Sequence, residues 1–264
     1  MPATEAVSQS PRDPSRPDAL AVAGFSKSYE GLAAVVDLSF RVRAGEILGL
    51  VGPNGAGKTT TLRSIAGILP IQKGSITVAG HDLAIDEHEA KSRLAWVPDD
   101  PQPFDSLTVE EHLLFTARLY GIDEWRARAG ELLATFELSE KRGALGGELS
   151  RGMRQKLAFA CAWLSRPELL LLDEPLSGLD PRGIRAARRA IRELADSGVA
   201  VLLSSHLLEL IEALADRILI MDRGRAVFDG TLEEARAALA PESGSSLEEI
   251  FMAATGEAGG DGAG

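Results

Sequence analysis

The eight residues Gly52-Pro53-Asn54-Gly55-Ala56-Gly57-Lys58-Thr59 restrict this chain more than any other feature. They fit the pattern G-x-x-x-x-G-K-[ST], follow the apolar run Ile47-Leu48-Gly49-Leu50-Val51 and precede a helix expected over Thr59 to Leu69. An unbroken apolar run of this kind suits a parallel strand covered on both faces. Between such a strand and a helix, the glycines let the backbone curl until successive N–H groups point inward at phosphate oxygens, an approach that a Cβ would block. Lys58 is expected to reach the β- and γ-phosphates and Thr59 to hold Mg²⁺, while the helix N-terminus adds its partial positive charge.

The rest of the chain alternates in the same manner. Val36, Leu38, Phe40 and Val42 interleave with Asp37, Ser39 and Arg41, the period of a strand with one buried face, and Ile76 and Val78 repeat it before Gly80. Strand signals then stop between about Asp99 and Leu149. There Thr108-Val109-Glu110-Glu111 forms a capping box opening a helix whose buried face would carry Val109, Leu113, Ala117 and Tyr120. A second helix is expected from about Glu124 to Phe136. Strands return at Leu169–Leu172, Val199–Leu203 and Ile218–Met221, with a terminal hairpin through Arg223-Gly224 into Ala226–Phe228.

Composition narrows the function classes. Asp and Glu number 39 against 28 Lys and Arg, a formal net charge of −11, which opposes broad phosphate-backbone binding, so no nucleic-acid partner is expected. The lone Cys161 cannot form an internal disulfide or a multi-thiolate metal site, and a reducing setting follows. No apolar run approaches the roughly 18 residues of a membrane span, so any membrane connection would pass through another polypeptide. His81, His88 and His112 have no chemical context and read as surface or subdomain residues.

Two further sites complete a chemistry around the glycine loop. Leu169 to Leu172 ends in Asp173-Glu174, so one carboxylate can orient Mg²⁺ through water while the next accepts a proton from an attacking water. His206 follows another apolar strand and Ser204-Ser205, at the carboxyl edge where α/β sheets place ligands. Ser150 is a suitable N-cap for a helix containing Leu157, Ala158, Cys161 and Leu164.

In order and spacing these residues resemble the nucleotide-binding subunit of ATP-binding cassette (ABC) transporters, over roughly Ala21 to Gly230. Leu149-Ser150-Arg151-Gly152-Met153 stands where that family has Leu-Ser-Gly-Gly-Gln; Ser150 and Gly152 are kept, Arg151 and Met153 depart. The resemblance implies an α/β fold: a P-loop NTPase core with a mostly parallel sheet, an N-terminal antiparallel β portion and an inserted helical subdomain. The expected division is a disordered tail over 1–18, an ATPase domain over 19–240 with the helical subdomain at about 99–158, and a C-terminal helix and flexible tail over 241–264.

The resemblance also implies ATP and Mg²⁺ as cofactors, with Gly52 to Thr59 and Thr60 around the phosphates and Tyr29 stacked on adenine. Ser150 and Gly152 would face the γ-phosphate of ATP held by a second protomer, Ser177-Gly178-Leu179-Asp180 would cross the dimer interface, and His206 would contact the γ-phosphate. Asp99, where Gln or Glu is usual, would offer a shorter oxygen ligand to Mg²⁺ or the attacking water; Gln102 is the alternative. The implied partners are a second copy or a similar subunit, closing on ATP, and separate transmembrane permease subunits, with the chain peripheral on the cytoplasmic face of the membrane. Leu149 to Lys156 and the ending Leu247-Glu248-Glu249-Ile250-Phe251 look like those of bacterial exporters of drugs, antibiotics and cell-surface polymers. The alternative is a soluble regulatory ABC ATPase without a membrane partner, while a small-molecule P-loop kinase would not need the Ser150–Gly152 helix end.

Overall fold

The computed structural model describes residues 17–239 and 246–255. Along the chain run β1 (Asp18–Tyr29), β2 (Leu32–Arg43), β3 (Ile47–Val51), α1 (Lys58–Ile65), β4 (Lys73–Val78), β5 (His81–Asp82) and α2 (Glu87–Ser92). They are followed by β6 (Leu94–Val97), α3 (Val109–Leu119), α4 (Trp125–Thr135), α5 (Arg151–Leu164), β7 (Leu169–Asp173) and α6 (Pro181–Asp196). The chain continues through β8 (Ala200–Ser204), α7 (Leu208–Leu214), β9 (Arg217–Asp222), β10 (Arg225–Gly230), α8 (Leu232–Leu239) and α9 (Leu247–Thr255).

Two sheets result. The first is antiparallel, in the order β2-β1-β4-β5; the second has the order β10-β9-β3-β8-β7-β6 and is parallel except for the β9/β10 hairpin. Strands β3, β7 and β8 are buried at every position because both faces of the second sheet are covered. Successive residues feed opposite cores. Ile47, Leu170, Leu172, Val201, Leu203, Ile218 and Ile220 pack with α3 to α9. Leu48, Leu50, Leu169, Leu171, Leu202, Leu219 and Met221 pack with the antiparallel sheet and with Leu62 and Ile65 of α1. A one-residue slip in any of these strands would exchange its two cores, so register is strongly specified.

The helical layer forms where strand signals lapse. Thr108 caps α3 with both halves of a capping box, its hydroxyl accepting from the Glu111 amide while the Glu111 carboxylate accepts from the Thr108 amide. Val109, Leu113 and Ala117 are buried as the spacing requires; Tyr120 lies at the helix end, half-buried, with its hydroxyl donating to the Leu94 carbonyl. Phe136 and Phe159 stack in the seam between α4 and α5, and Trp163 meets both rings edge-on.

Several expectations are corrected. The tail expected over 1–18 gives way at Asp18, which already pairs with Arg43 in β1; residues 1–16 lie outside the described residues, as do 240–245 and 256–264. The first helix ends at Ile65, because Ala66 and the left-handed Gly67 close it before Leu69. Strand β2 begins at Leu32 and not Val36, extended by pairing with β1. Strands β1, β5 and β6 and helix α2 were not expected, and β6 is held by parallel pairing with β7, a non-local contact. His112 belongs to the helical layer but is buried, where its Nε2 accepts from the Phe104 amide.

Candidate active site

The second sheet delivers the loop and both carboxylates to one edge. Strand β3 ends at Val51 and passes through Gly52 into the loop that opens α1. Gly55 and Gly57 are left-handed, with φ of 81° and 101°. At Gly57 a Cβ would lie 2.6 Å from the Ala34 carbonyl oxygen, so neither the conformation nor the space admits a side chain. No side chain caps α1, and its first turn holds no acidic residue, so its leading N–H groups remain available to an anion. Lys58 Nζ donates to the Gly52 and Pro53 carbonyls at 2.6 and 3.1 Å, folding back over the loop. Asn54, Gly55 and Thr59 are exposed, Pro53 and Thr60 are half-buried, and Ala56 is buried as a wedge beneath the loop.

Facing this cradle, β7 ends on Asp173, which is only 5% exposed. Its Oδ1 accepts from the Ser204 hydroxyl at 2.6 Å, a contact fixed by the parallel register of Asp173 with Ser204. Burial raises the Asp173 carboxyl above the usual carboxylate range, and Ser204 opposes that rise. Burial lowers the Lys58 ammonium below the ordinary lysine value, while the charges of Glu174 and Asp173 push it back up. Two opposite charges are thus each penalised by desolvation and partly sustained by the other.

Glu174 has left the strand, with φ of 47°, and its amide donates to the Ser204 carbonyl. Its Oε2 is in contact with His206 Nδ1 at 2.7 Å and accepts from the His206 amide at 3.2 Å and the Ser205 hydroxyl at 3.3 Å. The structure therefore brings Asp173, Glu174, His206 and Lys58 together. Tyr29 is placed at the tip of the β1/β2 hairpin, exposed, with the Lys27 ammonium 5.8 Å from its ring centroid.

Ser150 caps α5, its hydroxyl accepting from the Met153 amide at 3.3 Å, and Gly152 follows in the first turn. Asp180 caps α6 by accepting from the Gly183 amide at 2.8 Å. Asp99, in the loop leaving β6, pairs with Arg151 at 3.3 Å, and Gln102 bonds to Asp100. Three contributing residues were missed. In sequence Ser204 is only a step towards His206, Arg151 only a departure from a motif, and Gln155, whose Nε2 donates to the Pro175 carbonyl, carries no local signal. Only the register of β7 with β8 pairs Ser204 with Asp173, and no short-range signal carries it. Among the described residues no cluster of three His, Cys, Asp or Glu forms a protein-only metal site.

A glycine cradle at the end of a parallel strand, its inward lysine and two strand-end carboxylates define a P-loop nucleotide-binding ATPase. The family model described as ABC transporter matches residues 35–177. The chain is 38% identical over 223 residues to the daunorubicin/doxorubicin resistance ATP-binding protein DrrA of Streptomyces peucetius, covering 84% of this chain and 68% of that one. It is 37% identical over 227 residues to the Nod factor export ATP-binding protein I of Burkholderia pseudomallei (strain 1710b), covering 85% of this chain and 74% of that one. A solved structure described as the ATP binding subunit of an ABC transporter superposes with a TM-score of 0.86 at 34% identity, over 89% of this chain and 98% of that one. The chain belongs to the ABC transporter family: it is an ATP-binding subunit and ATPase of that family, with the expected α/β fold.

Proposed function

We propose that this ATPase closes as a dimer around two Mg·ATP and docks on separate transmembrane permease subunits at the cytoplasmic face of the membrane, where hydrolysis drives export. The observation that carries the hydrolytic reading is the Glu174–His206 contact at 2.7 Å beside the Lys58 loop. In this reading Gly52 to Thr60 bind the phosphates and Glu174 takes the proton of the attacking water. His206 holds the Glu174 carboxylate in place and meets the γ-phosphate, and Tyr29 stacks on the base.

The residues present fit a divalent cation. Asp173 supplies a buried oxygen, Thr59 an exposed hydroxyl, and Asp99 a further carboxylate on the neighbouring loop. Mg²⁺ bound there would neutralise charge on the phosphates. The electrostatics favour cation and nucleotide together: phosphate alone would suit Lys58 but face Asp173 and Glu174, whereas the pair answers both signs.

Closure as a dimer is supported by the exposed tip of α5, where Ser150 and the first-turn N–H groups can meet a phosphate, and by Asp180 at the start of α6. A permease partner is supported by the similar proteins described as an ABC-type transporter ATP-binding protein and as the ATP binding subunit of an ABC transporter. Export follows the relative named for Nod factor export. The domain division proposed is 18–240 for the ATPase, moved by one residue to take in Asp18 of β1, with the helical subdomain at about 99–158.

Glu174→Gln tests the reading. It removes most turnover, leaves ATP binding intact and traps a dimer visible by size-exclusion chromatography in Mg·ATP; unchanged turnover in a monomer refutes it. A multispanning protein recovered with the trapped dimer from native membranes supports the transporter over a regulatory ATPase, and its absence refutes the permease assignment.

A further inference from the structure

The tip of α5 is bound to the segment that follows Glu174 at several points. Gln155 donates to the Pro175 carbonyl at 3.1 Å, and a Cβ at Gly152 would lie 2.7 Å from the Gly178 carbonyl oxygen, so the two backbones nearly touch. The Arg151 stem lies over Gly178, where an added Cβ would meet its Cδ at 3.2 Å. Beyond that stem the guanidinium does something separate. A single nitrogen, Nη2, reaches Ser177 Oγ at 2.8 Å and Asp99 Oδ1 at 3.3 Å.

These contacts join three segments of different origin. Asp99 lies on the loop that leaves β6 for the helical layer, and Arg151 opens the helix that returns from that layer. Ser177 sits in the turn closing on the catalytic carboxylate, its amide donating to the Glu174 carbonyl at 3.1 Å. The first two α5 contacts tie helix to turn without involving the β6 loop. Arg151 brings the β6 loop to the same point.

We propose that Arg151 is a positioning residue for hydrolysis, fastening the loop after β6, through Asp99, to the Ser177 turn that closes on Glu174. The inference rests on Glu174 as the residue that activates water. Its consequence is that a displacement of the β6 loop reaches the Glu174 turn through one guanidinium. Arg suits the task because Nη2 carries two N–H donors held in the guanidinium plane, so one nitrogen can serve both acceptors in a fixed direction, whereas a lysine ammonium rotates freely on its stem.

The test uses the full chain and Mg·ATP, with Arg151→Ala, Ser177→Ala, the double variant and Arg151→Lys. Both partners of the ion pair are about half exposed, so the effect is modest: kcat falls about threefold to fivefold in Arg151→Ala. KM changes by less than about twofold, and the double variant is no slower than Arg151→Ala alone. Arg151→Lys falls between the wild type and Arg151→Ala. Without nucleotide, amide exchange accelerates in Arg151→Ala both at residues 98–105 and at 175–180.

Independent, multiplicative losses in the double variant overturn the proposal. So does a loss confined to KM, which is the signature of direct contact with nucleotide, and so does unchanged exchange in either segment. If Arg151→Ala does not fold, Arg151→Lys with Ser177→Ala carries the same cycle. Because amide exchange is read without turnover, failure of the Glu174 assignment, seen as full activity in Glu174→Gln, is separable from failure of the tie.

Discussion

Ser204→Ala isolates the buried support of Asp173. The hydroxyl lies 2.6 Å from Oδ1 of a carboxylate that is only 5% exposed, and Ser204 itself is fully buried. Removing it leaves a buried charged group short of a donor, a change that costs about 1.5–3 kcal/mol. At about 2–4 °C per kcal/mol for a domain of this size, Tm drops by about 3–12 °C. The pH dependence identifies the cause. Burial raises the native Asp173 carboxyl above its ordinary value of 3.8, so the native state binds more protons than the unfolded chain between those two values. Stability therefore falls as pH rises through that window. Losing the hydroxyl raises the native value further and extends the fall to higher pH. The penalty of Ser204→Ala is largest at the alkaline end and shrinks as pH is lowered through the variant's native pKa. Urea unfolding of wild type and variant without nucleotide, at a series of pH values from about 8 to about 4, measures it. A loss under about 0.5 kcal/mol near pH 8, or one that does not shrink on acidification, refutes the reasoning.

Lys58→Ala removes the ammonium of the cradle, and calorimetry should show ATP affinity falling at least about tenfold, the loss of one charge-assisted contact. Thr108→Ala breaks the hydroxyl half of the α3 capping box and costs about 1 kcal/mol in urea unfolding, whereas Thr108→Ser keeps most of it. Burial pushes the Cys161 thiol up to about 11, against a weaker opposing hydrogen bond with Thr116. Near pH 8 so little thiolate is present that iodoacetamide labelling in the folded chain runs about a hundredfold slower than in the urea-unfolded chain.

What the chain reveals locally and what it conceals divide along contact range. The loop at Gly52–Thr59, the capping box at Thr108 and the cap at Ser150 are each written within a few residues, and the structure forms them there. Strands β7 and β8 are legible because a fully apolar run needs cover on both faces. Strand β6 was missed because Leu94-Ala95-Trp96-Val97 becomes a strand only by lying beside Leu169–Leu172, more than seventy positions on. The same limit hid the support of the site. Asp173 and Glu174 are adjacent in sequence, yet Ser204 holds the first while His206 holds the second, and both assignments follow from where β8 ends relative to β7. Arg151 is the extreme case. Read against a motif it is only a substitution, but folding sets its one nitrogen between residues 52 positions before it and 26 after it. The residues proposed to hold phosphate are local because a helix N-terminus is local. Those that aim the carboxylates are distant because only the register of a sheet can bring two strand ends together.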